Sequence, residues 1–226
     1  LAEHARAACE NPQLSRGARR ALMAREHAYL MRAASHARRS GSFSEAAALN
    51  ERALAHRASG KREKIVLSLD LAEIWQASGA STNAVAICDQ LLRELPARQR
   101  VQRARALTAM GAALGDLGQP EQARARLEEA ARVFERISDW ERLAHCLSML
   151  ALHQRVSGDA KGAMHNLRRV LKIGRRHRND LLMREAFCGQ AVFLQRVGKS
   201  QQAEKVARAA LDLAERGVSA MQGREL

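Results

Sequence analysis

The sequence has few of the residues that break or cross-link a chain. Only three prolines occur in 226 residues, and aromatic residues make up 3% of the composition. The four cysteines, Cys9, Cys88, Cys146 and Cys188, stand far apart and form no CxxC pair, which argues against a zinc site or a disulfide framework. We interpret them as small buried apolar residues of a protein in a reducing cytoplasm.

Signals for membranes and secretion are missing as well. No apolar run approaches the roughly 20 residues that a membrane-spanning helix needs, and the start of the chain does not resemble a signal peptide. We therefore expect a cytoplasmic protein with no membrane partner. The chain begins at Leu1 rather than at a methionine, and we expect it to be part of a longer protein.

The motifs that would indicate catalysis are also absent. The sequence contains no GxSxG, GxxxxGK[ST], GxGxxG or HExxH. Among its eight histidines, His145, His153 and His165 fall in one stretch, but the first two are two helical turns apart, too far to share a metal ion. We expect a non-enzymatic protein with no cofactor and no bound metal.

What the sequence has instead is a repeat. Five glycines recur at intervals of 38 to 40 residues; each has a small residue seven positions before it and an alanine five positions after it. The glycines are Gly41, Gly79, Gly118, Gly158 and Gly198. Apolar residues, mainly alanine and leucine, make up 46% of the chain and favour helix. Such a register is typical of stacked helix pairs that pack closely at small residues.

We therefore predict an all-α fold, a right-handed superhelical solenoid of about five antiparallel helix pairs in a single domain. The predicted repeats cover about 16–60, 61–96, 97–138, 139–178 and 179–216. Residues 1–15 should hold the N-terminal helix of a truncated repeat, and 217–226 a tail that is frayed or leads into a further repeat. Ser44 and Ser81 suit helix N-caps, and Asp139 is a further candidate cap. Trp140 should staple an inter-repeat turn rather than contact a ligand.

The pattern resembles the tetratricopeptide repeat, a helix–turn–helix of 34 residues in which a large apolar residue, a small residue, a turn glycine and alanines recur. The longer spacing here is similar to that of a variant in bacterial signalling proteins. The resemblance implies a scaffold that binds a peptide or protein segment in its concave groove. It equally allows a regulatory or sensor arm that responds to an effector or to a neighbouring domain of the same chain.

The resemblance also implies which side chains line the groove, at five positions on the first helix of each pair. The selected candidates are Arg38, Arg39, Glu73, Gln76, Arg105, Thr108, Asp116, His145, Ser148, Arg155, Gln195 and Arg196. Further groove positions are Met31, Ser35, Val66, Leu69, Ala112, Leu152, Glu185, Cys188 and Val192. The arginines could form a ladder for an acidic segment, or they could be solvated or paired with groove carboxylates. No asparagine occupies the slot that carboxylate-clamp co-chaperones use, so that role is not expected.

The charge balance leaves one more alternative open. The formal net charge is +14, from 38 Lys and Arg against 24 Asp and Glu, which indicates either an acidic partner or the codon bias of a GC-rich genome. The densest basic run lies between Arg168 and Arg178, and a second lies between Arg98 and Arg105. No aromatic residues alternate with these cations, as single-strand binders require. A nucleic-acid partner is therefore not expected.

Overall fold

A computed structural model of the chain describes residues 14–56 and 60–222, with side chains up to Arg216. The described residues form ten helices and no strand. The helices are α1 (Arg16–Arg39), α2 (Phe43–Ala55), α3 (Lys61–Ala77), α4 (Ser81–Glu94), α5 (Arg100–Asp116), α6 (Pro120–Arg136), α7 (Trp140–Ser157), α8 (Ala160–His177), α9 (Asp180–Arg196) and α10 (Ser200–Gln222). The predicted all-α fold of helix pairs is confirmed. The helix predicted in residues 1–15 falls on 1–13, which lie outside the described residues.

The chain divides into two compact units, residues 1–117 and 118–226, called unit 1 and unit 2 below. In unit 1, each of the helices α1 to α5 packs against the next along the chain, and α3 also contacts α5. In unit 2, α6 to α10 do the same, and α7 contacts α9. Each unit is therefore built from neighbours in sequence, as in a repeat array. That the whole chain forms one domain stays a prediction.

Small residues lie where the helices cross, as the register predicts. The alanines five residues after the turn glycines are at most 5% exposed; they are Ala46, Ala84, Ala123, Ala163 and Ala203. In unit 1, Ala46 belongs to a buried cluster with Leu71 and Ile74, against which Trp75 packs. In unit 2, Ala163 is buried together with Ala151 and Leu167. A larger side chain at these positions would hold the helix axes apart.

The turns inside the helix pairs depend on the left-handed backbone of glycine. All five repeat glycines have positive φ, from 73° at Gly118 to 86° at Gly158. A Cβ at Gly158 would meet no atom within 4 Å, so the requirement there is conformational rather than steric. Ser138 and Arg178 also have positive φ, at 57° and 51°. They lie in the turns between pairs, where the repeat has no glycine.

Two of the predicted N-caps are wrong, and one is confirmed. Ser44 is the second residue of α2, because the first helical hydrogen bond already runs from Ala46 N–H to the carbonyl of Ser42. Ser81 is the first residue of α4, whose N-cap is Ala80. Asp139 does cap α7, its carboxylate accepting from the Arg142 N–H at 3.2 Å.

The last helix is longer than the sequence pattern indicates. Of the two alternatives for the tail from residue 217, fraying does not hold up to Gln222, where α10 ends. No proline interrupts this stretch, and one glycine within a helix costs only about 1 kcal/mol relative to alanine. Among the ten helices described, none combines the length and the apolar character that crossing a bilayer requires.

Candidate functional site

A groove with an apolar floor and a polar rim lies in unit 2 between α7 and α9. Its volume is about 420 Å³, which is within the range of about 300–1,000 Å³ typical of ligand sites. We call it the α7–α9 groove. It is lined by His145, Ser148, Met149, Ala151, Leu152, Arg155, Leu167, Glu185, Cys188, Gly189 and Val192. Seven of these eleven residues occupy groove positions that the family resemblance implies.

The two walls of the groove run in the same direction. The turn from α7 to α8 and the turn from α8 to α9 are short, so both walls are antiparallel to α8. Equivalent residues, counted back from the turn glycines, therefore lie at the same level. His145 and Glu185 are level at one end, Leu152 and Val192 follow, and Arg155 lies at the other end. His145 and Arg155 are about 15 Å apart along α7, at 1.5 Å per residue.

The floor of the groove exposes apolar surface. Leu152 is 38% exposed and Val192 48%, although large apolar side chains usually lie in the core. Leu167 of α8 reaches the floor from below, because Gly189 of α9 has no side chain to block it. A Cβ on Gly189 would come within 2.8 Å of Leu167 Cδ2. The groove can therefore cover an apolar side chain of a bound segment.

The rim of the groove keeps its charges unpaired within the described chain. Arg155 and Glu185 form no salt bridge with any residue that the structure describes. Arg155 is partly buried, whereas Glu185 and His145 are exposed. Charged groups at opposite ends of an apolar floor can orient a bound segment through charge-assisted hydrogen bonds.

Two of the candidate groove arginines of unit 1 are already paired. Arg105 Nη2 donates to Glu73 Oε1 at 2.6 Å and to Asp70 Oδ1 at 2.9 Å, and Arg38 Nη1 donates to Glu73 Oε2 at 3.2 Å. Burial of the guanidinium lowers the pKa of Arg105, but the Glu73 and Asp70 carboxylates outweigh it and the pKa is raised. The sequence left three states open for the groove arginines: available to an acidic segment, solvated, or paired within the chain. Arg38 and Arg105 are paired within the chain.

The other candidates in unit 1 also bond within the chain or lie apart. Gln76 Nε2 donates to Asp116 Oδ2 at 3.1 Å, and the Ser81 hydroxyl donates to the same oxygen at 3.3 Å. Thr108 is buried, and its hydroxyl donates to the carbonyl of Ala104 at 2.8 Å. Arg39 is exposed at the last position of α1.

Two candidates of unit 2 lie outside the groove. Gln195 and Arg196 are exposed at the end of α9, beyond the residues that line it. Sequence reasoning also missed four residues that line the groove, namely Met149, Ala151, Leu167 and Gly189. Gly189 carried a usable signal, because a glycine inside a helical pattern usually has a packing reason.

The cysteines were expected to be buried, but one of those that the structure describes is exposed. Cys88 and Cys146 are buried, but Cys188 is exposed and lines the α7–α9 groove. Its position three residues after Glu185 places it on the groove face of α9. Burial, with a smaller contribution from the Glu73 carboxylate, raises the pKa of the Cys88 thiol to about 12. Cys9 lies outside the described residues.

A cluster of acids and imidazoles in unit 1 was not predicted. The rings of His27 and His56 stack with centroids 5.4 Å apart. His56 Nε2 lies 3.2 Å from Glu26 Oε2, and His27 Nε2 lies 3.2 Å from Glu63 Oε1. Within residues 14–56 and 60–222, no group of His, Cys, Asp and Glu side chains is arranged to hold a metal ion.

Unit 1 also contains a cavity of about 860 Å³ between the start of α3, the end of α4 and the start of α5. Lys61, Arg62 and Lys64 line one side of it, and Arg98 lines another. Lys61, which lines the cavity, closely follows residues 57–59 in sequence, and the structure does not describe those three residues. We therefore assign no site to this cavity.

Comparisons with known proteins agree with the architecture. The tetratricopeptide repeat family model matches residues 102–176. No curated protein matches the sequence. Among solved structures, BtubC (BKLC) from P. vanneervenii is similar with a TM-score of 0.65 at 19% identity, covering 98% of this chain and 88% of that one. A putative kinesin light chain of Podosopora anserina with TPR-like repeats gives 0.62 at 18%, covering 84% and 95%.

The apo form of RapI is similar over almost the whole chain as well. Its TM-score is 0.69 at 13% identity, and the match covers 95% of this chain but 59% of RapI. At such identities these likenesses concern the fold alone. The fold of these structures and the family match to residues 102–176 indicate the same helical-repeat architecture.

Proposed function

We propose that the protein is a non-enzymatic interaction module, because the tetratricopeptide repeat family model matches residues 102–176 and the described chain is similar in fold to a solved protein with TPR-like repeats. Its α7–α9 groove would hold a segment of a partner protein. The observation that carries the proposal is the juxtaposition of two exposed apolar side chains, Leu152 and Val192, with the charges of Arg155 and Glu185, which form no salt bridge with any residue that the structure describes. Proteins of this architecture leave one long face available for such partners.

The groove suggests the chemistry of the segment. An apolar side chain would cover Leu152 and Val192, since each Å² of apolar surface removed from water contributes about 25 cal/mol. A carboxylate would pair with Arg155 at one end, and a cation with Glu185 at the other. An extended segment of about five residues spans the 15 Å between these ends, at roughly 3.3 Å per residue.

The expectation of an acidic partner applies less well to unit 1. Arg38 and Arg105 already bind Glu73 and Asp70, and an incoming carboxylate would have to displace these partners. We therefore propose that recognition is concentrated in unit 2.

The test is selection of binding peptides from a random library displayed on phage, followed by measured affinities for the full chain. We expect selected peptides to share an apolar residue flanked by an acidic residue on one side and a basic residue on the other. Leu152→Glu and Val192→Glu should each weaken their binding at least tenfold. Val156→Glu is the matched control, because Val156 is 73% exposed on α7 but does not line the groove.

Two results would count against the groove as the binding site. One is a set of peptides that bind Leu152→Glu and wild type equally well, while both proteins melt at the same temperature. The other is a loss of peptide affinity in Val156→Glu that equals the loss in the groove variants.

A regulatory arm of a larger signalling protein is the second candidate function. The observation that favours it is that the match to RapI covers 95% of this chain but only 59% of RapI, so a repeat array of this length can form part of a longer protein. Sequencing of the full reading frame tests it: an adjoining ATPase, kinase or DNA-binding domain would favour the arm. A frame that adds no further domain would favour a free-standing adaptor.

A further inference from the structure

The exposed face of α8 carries a straight row of basic and imidazole side chains. We call this row the α8 stripe; its members are Lys161, His165, Arg168, Lys172 and Arg175, and all five are exposed. They are spaced by four, three, four and three residues, so they fall within an arc of about 80° at 3.6 residues per turn. The row is about 21 Å long, at 1.5 Å per residue.

No acidic residue of α8 neutralises the stripe. The helix sequence AKGAMHNLRRVLKIGRRH contains neither aspartate nor glutamate. Among the described residues, α8 makes one salt bridge, from Arg169 Nη2 to Glu135 Oε1 at 2.9 Å, and Arg169 lies beside the stripe. The other second helices of unit 2, α6 and α10, carry glutamates that pair with arginines of the same helix, Arg124 with Glu128 and Arg208 with Glu204. The positive charge of the stripe is therefore particular to α8.

The surroundings of the stripe select among possible polyanions. A protein interface usually has an apolar core, and insertion into a lipid surface needs an accessible apolar helix face. The apolar face of α8, with Ala163 and Val170, is fully buried in unit 2. Single strands require aromatic rings for base stacking. Trp140, the first residue of α7, already contacts the His177 ring and the Arg176 guanidinium at the end of α8. A row of cations without such neighbours suits the phosphates of a duplex.

We infer that the α8 stripe binds the phosphate backbone of duplex nucleic acid, at a surface separate from the α7–α9 groove. The basic runs of the sequence lack interleaved aromatic residues, and this absence argues against binding of single strands only, not of a duplex. Phosphate contacts carry no sequence information, so binding is independent of base sequence. With four Lys and Arg side chains each neutralising a phosphate, log K falls against log salt with a slope of about −3.6.

The experiment is fluorescence anisotropy of a labelled duplex DNA with the full chain, from about 50 to 200 mM salt. Arg168→Gln combined with Lys172→Gln should reduce affinity at least tenfold at low salt and make the slope shallower by about 1.8. The matched control is Arg20→Gln with Arg32→Gln, which removes the same net charge from exposed positions of α1. The control should bind DNA within about threefold of wild type, since only charges near a phosphate release counterions.

Three results would overturn the inference. Wild type could fail to bind at about 50 mM salt; both double variants could lose equal affinity; or phosphatidylserine vesicles or polyglutamate could bind wild type as tightly as the duplex does. If the double variant melts below wild type, Lys172→Gln alone replaces it. That single change should make the slope shallower by about 0.9, and an unchanged slope would contradict the assignment.

Discussion

Arg105 and Arg155 look alike in the sequence, yet their replacement by alanine should have opposite consequences. Arg105 donates three hydrogen bonds to the carboxylates of Glu73 and Asp70. Arg155 lines the α7–α9 groove and forms no salt bridge with any described residue. We expect Arg105→Ala to lower stability and leave peptide binding by unit 2 unchanged. Arg155→Ala should weaken binding and leave stability unchanged.

The size of the stability change follows from the exposure of the network. Exposed ion pairs contribute up to about 1 kcal/mol, whereas breaking a buried pair costs about 3–5 kcal/mol. The side chain of Arg105 is 19% exposed, and those of Asp70 and Glu73 are 34% and 38% exposed. An intermediate loss of about 2 kcal/mol is therefore expected, because removal of the cation also leaves two carboxylates side by side.

For a chain of this size, a loss of about 2 kcal/mol lowers the melting temperature by roughly 4–8 °C. Arg155→Ala should change the free energy of unfolding by less than about 0.5 kcal/mol. Arg155→Ala should lower the affinity for a peptide with an acidic end at least tenfold, since a charged hydrogen bond contributes about 1.5–3 kcal/mol. Thermal unfolding by circular dichroism and peptide titration measure the two effects. The reasoning fails if both variants unfold within 1 °C of wild type, or if Arg105→Ala weakens the peptide as much as Arg155→Ala does.

Four further substitutions test the packing and the electrostatics of the fold. The pKa of Cys88 is raised from 9.0 to about 12 in the folded chain, so its stabilisation is complete below pH 9 and is lost as pH rises from 9 towards 12. Urea midpoints should show about 1.4 kcal/mol of loss from this thiol at pH 10, and Cys88→Ala should lack that loss. Gly162→Ala should destabilise by about 1–2 kcal/mol, because its Cβ would overlap the carboxylate that caps α8. Gly17→Ala, with no atom within 4 Å of the added Cβ, should be neutral or stabilise by up to about 1 kcal/mol. Gly158→Ala should cost about 1–2 kcal/mol from its φ of +86° alone; an unchanged melting temperature for Gly158→Ala or Gly162→Ala would contradict these assignments.

The helix pairs could be predicted from the sequence because their signals are local. A turn glycine with positive φ and an alanine at a helix crossing are both needed within one pair, so the register repeats with the fold. The first predicted repeat begins at about residue 16, where α1 begins. The caps at Ser44 and Ser81 were less predictable, because several small polar residues flank each turn and the hydrogen bonds choose among them.

The state of the groove side chains depends on contacts between repeats, which a single sequence does not encode locally. Arg105 meets Glu73 across 32 residues and Asp70 across 35. The family positions place Arg105 and Arg155 both among the groove residues, but whether a carboxylate lies opposite depends on the neighbouring helix and its rotamers. The contact that explains Gly189 is also one between helices, because its missing side chain makes room for Leu167 of α8.

The two proposed surfaces lie on different sides of α8, and this geometry makes them separable. Leu167 reaches the floor of the α7–α9 groove, whereas the next residue, Arg168, is exposed in the α8 stripe. Rotation by about 100° per residue turns adjacent side chains to different faces of a helix. A bound peptide would contact α7 and α9, and a duplex would contact only the outer face of α8. Leu152→Glu and the stripe variant should therefore each affect one ligand. Their effects should add when they are combined, since sites without shared partners usually do not couple.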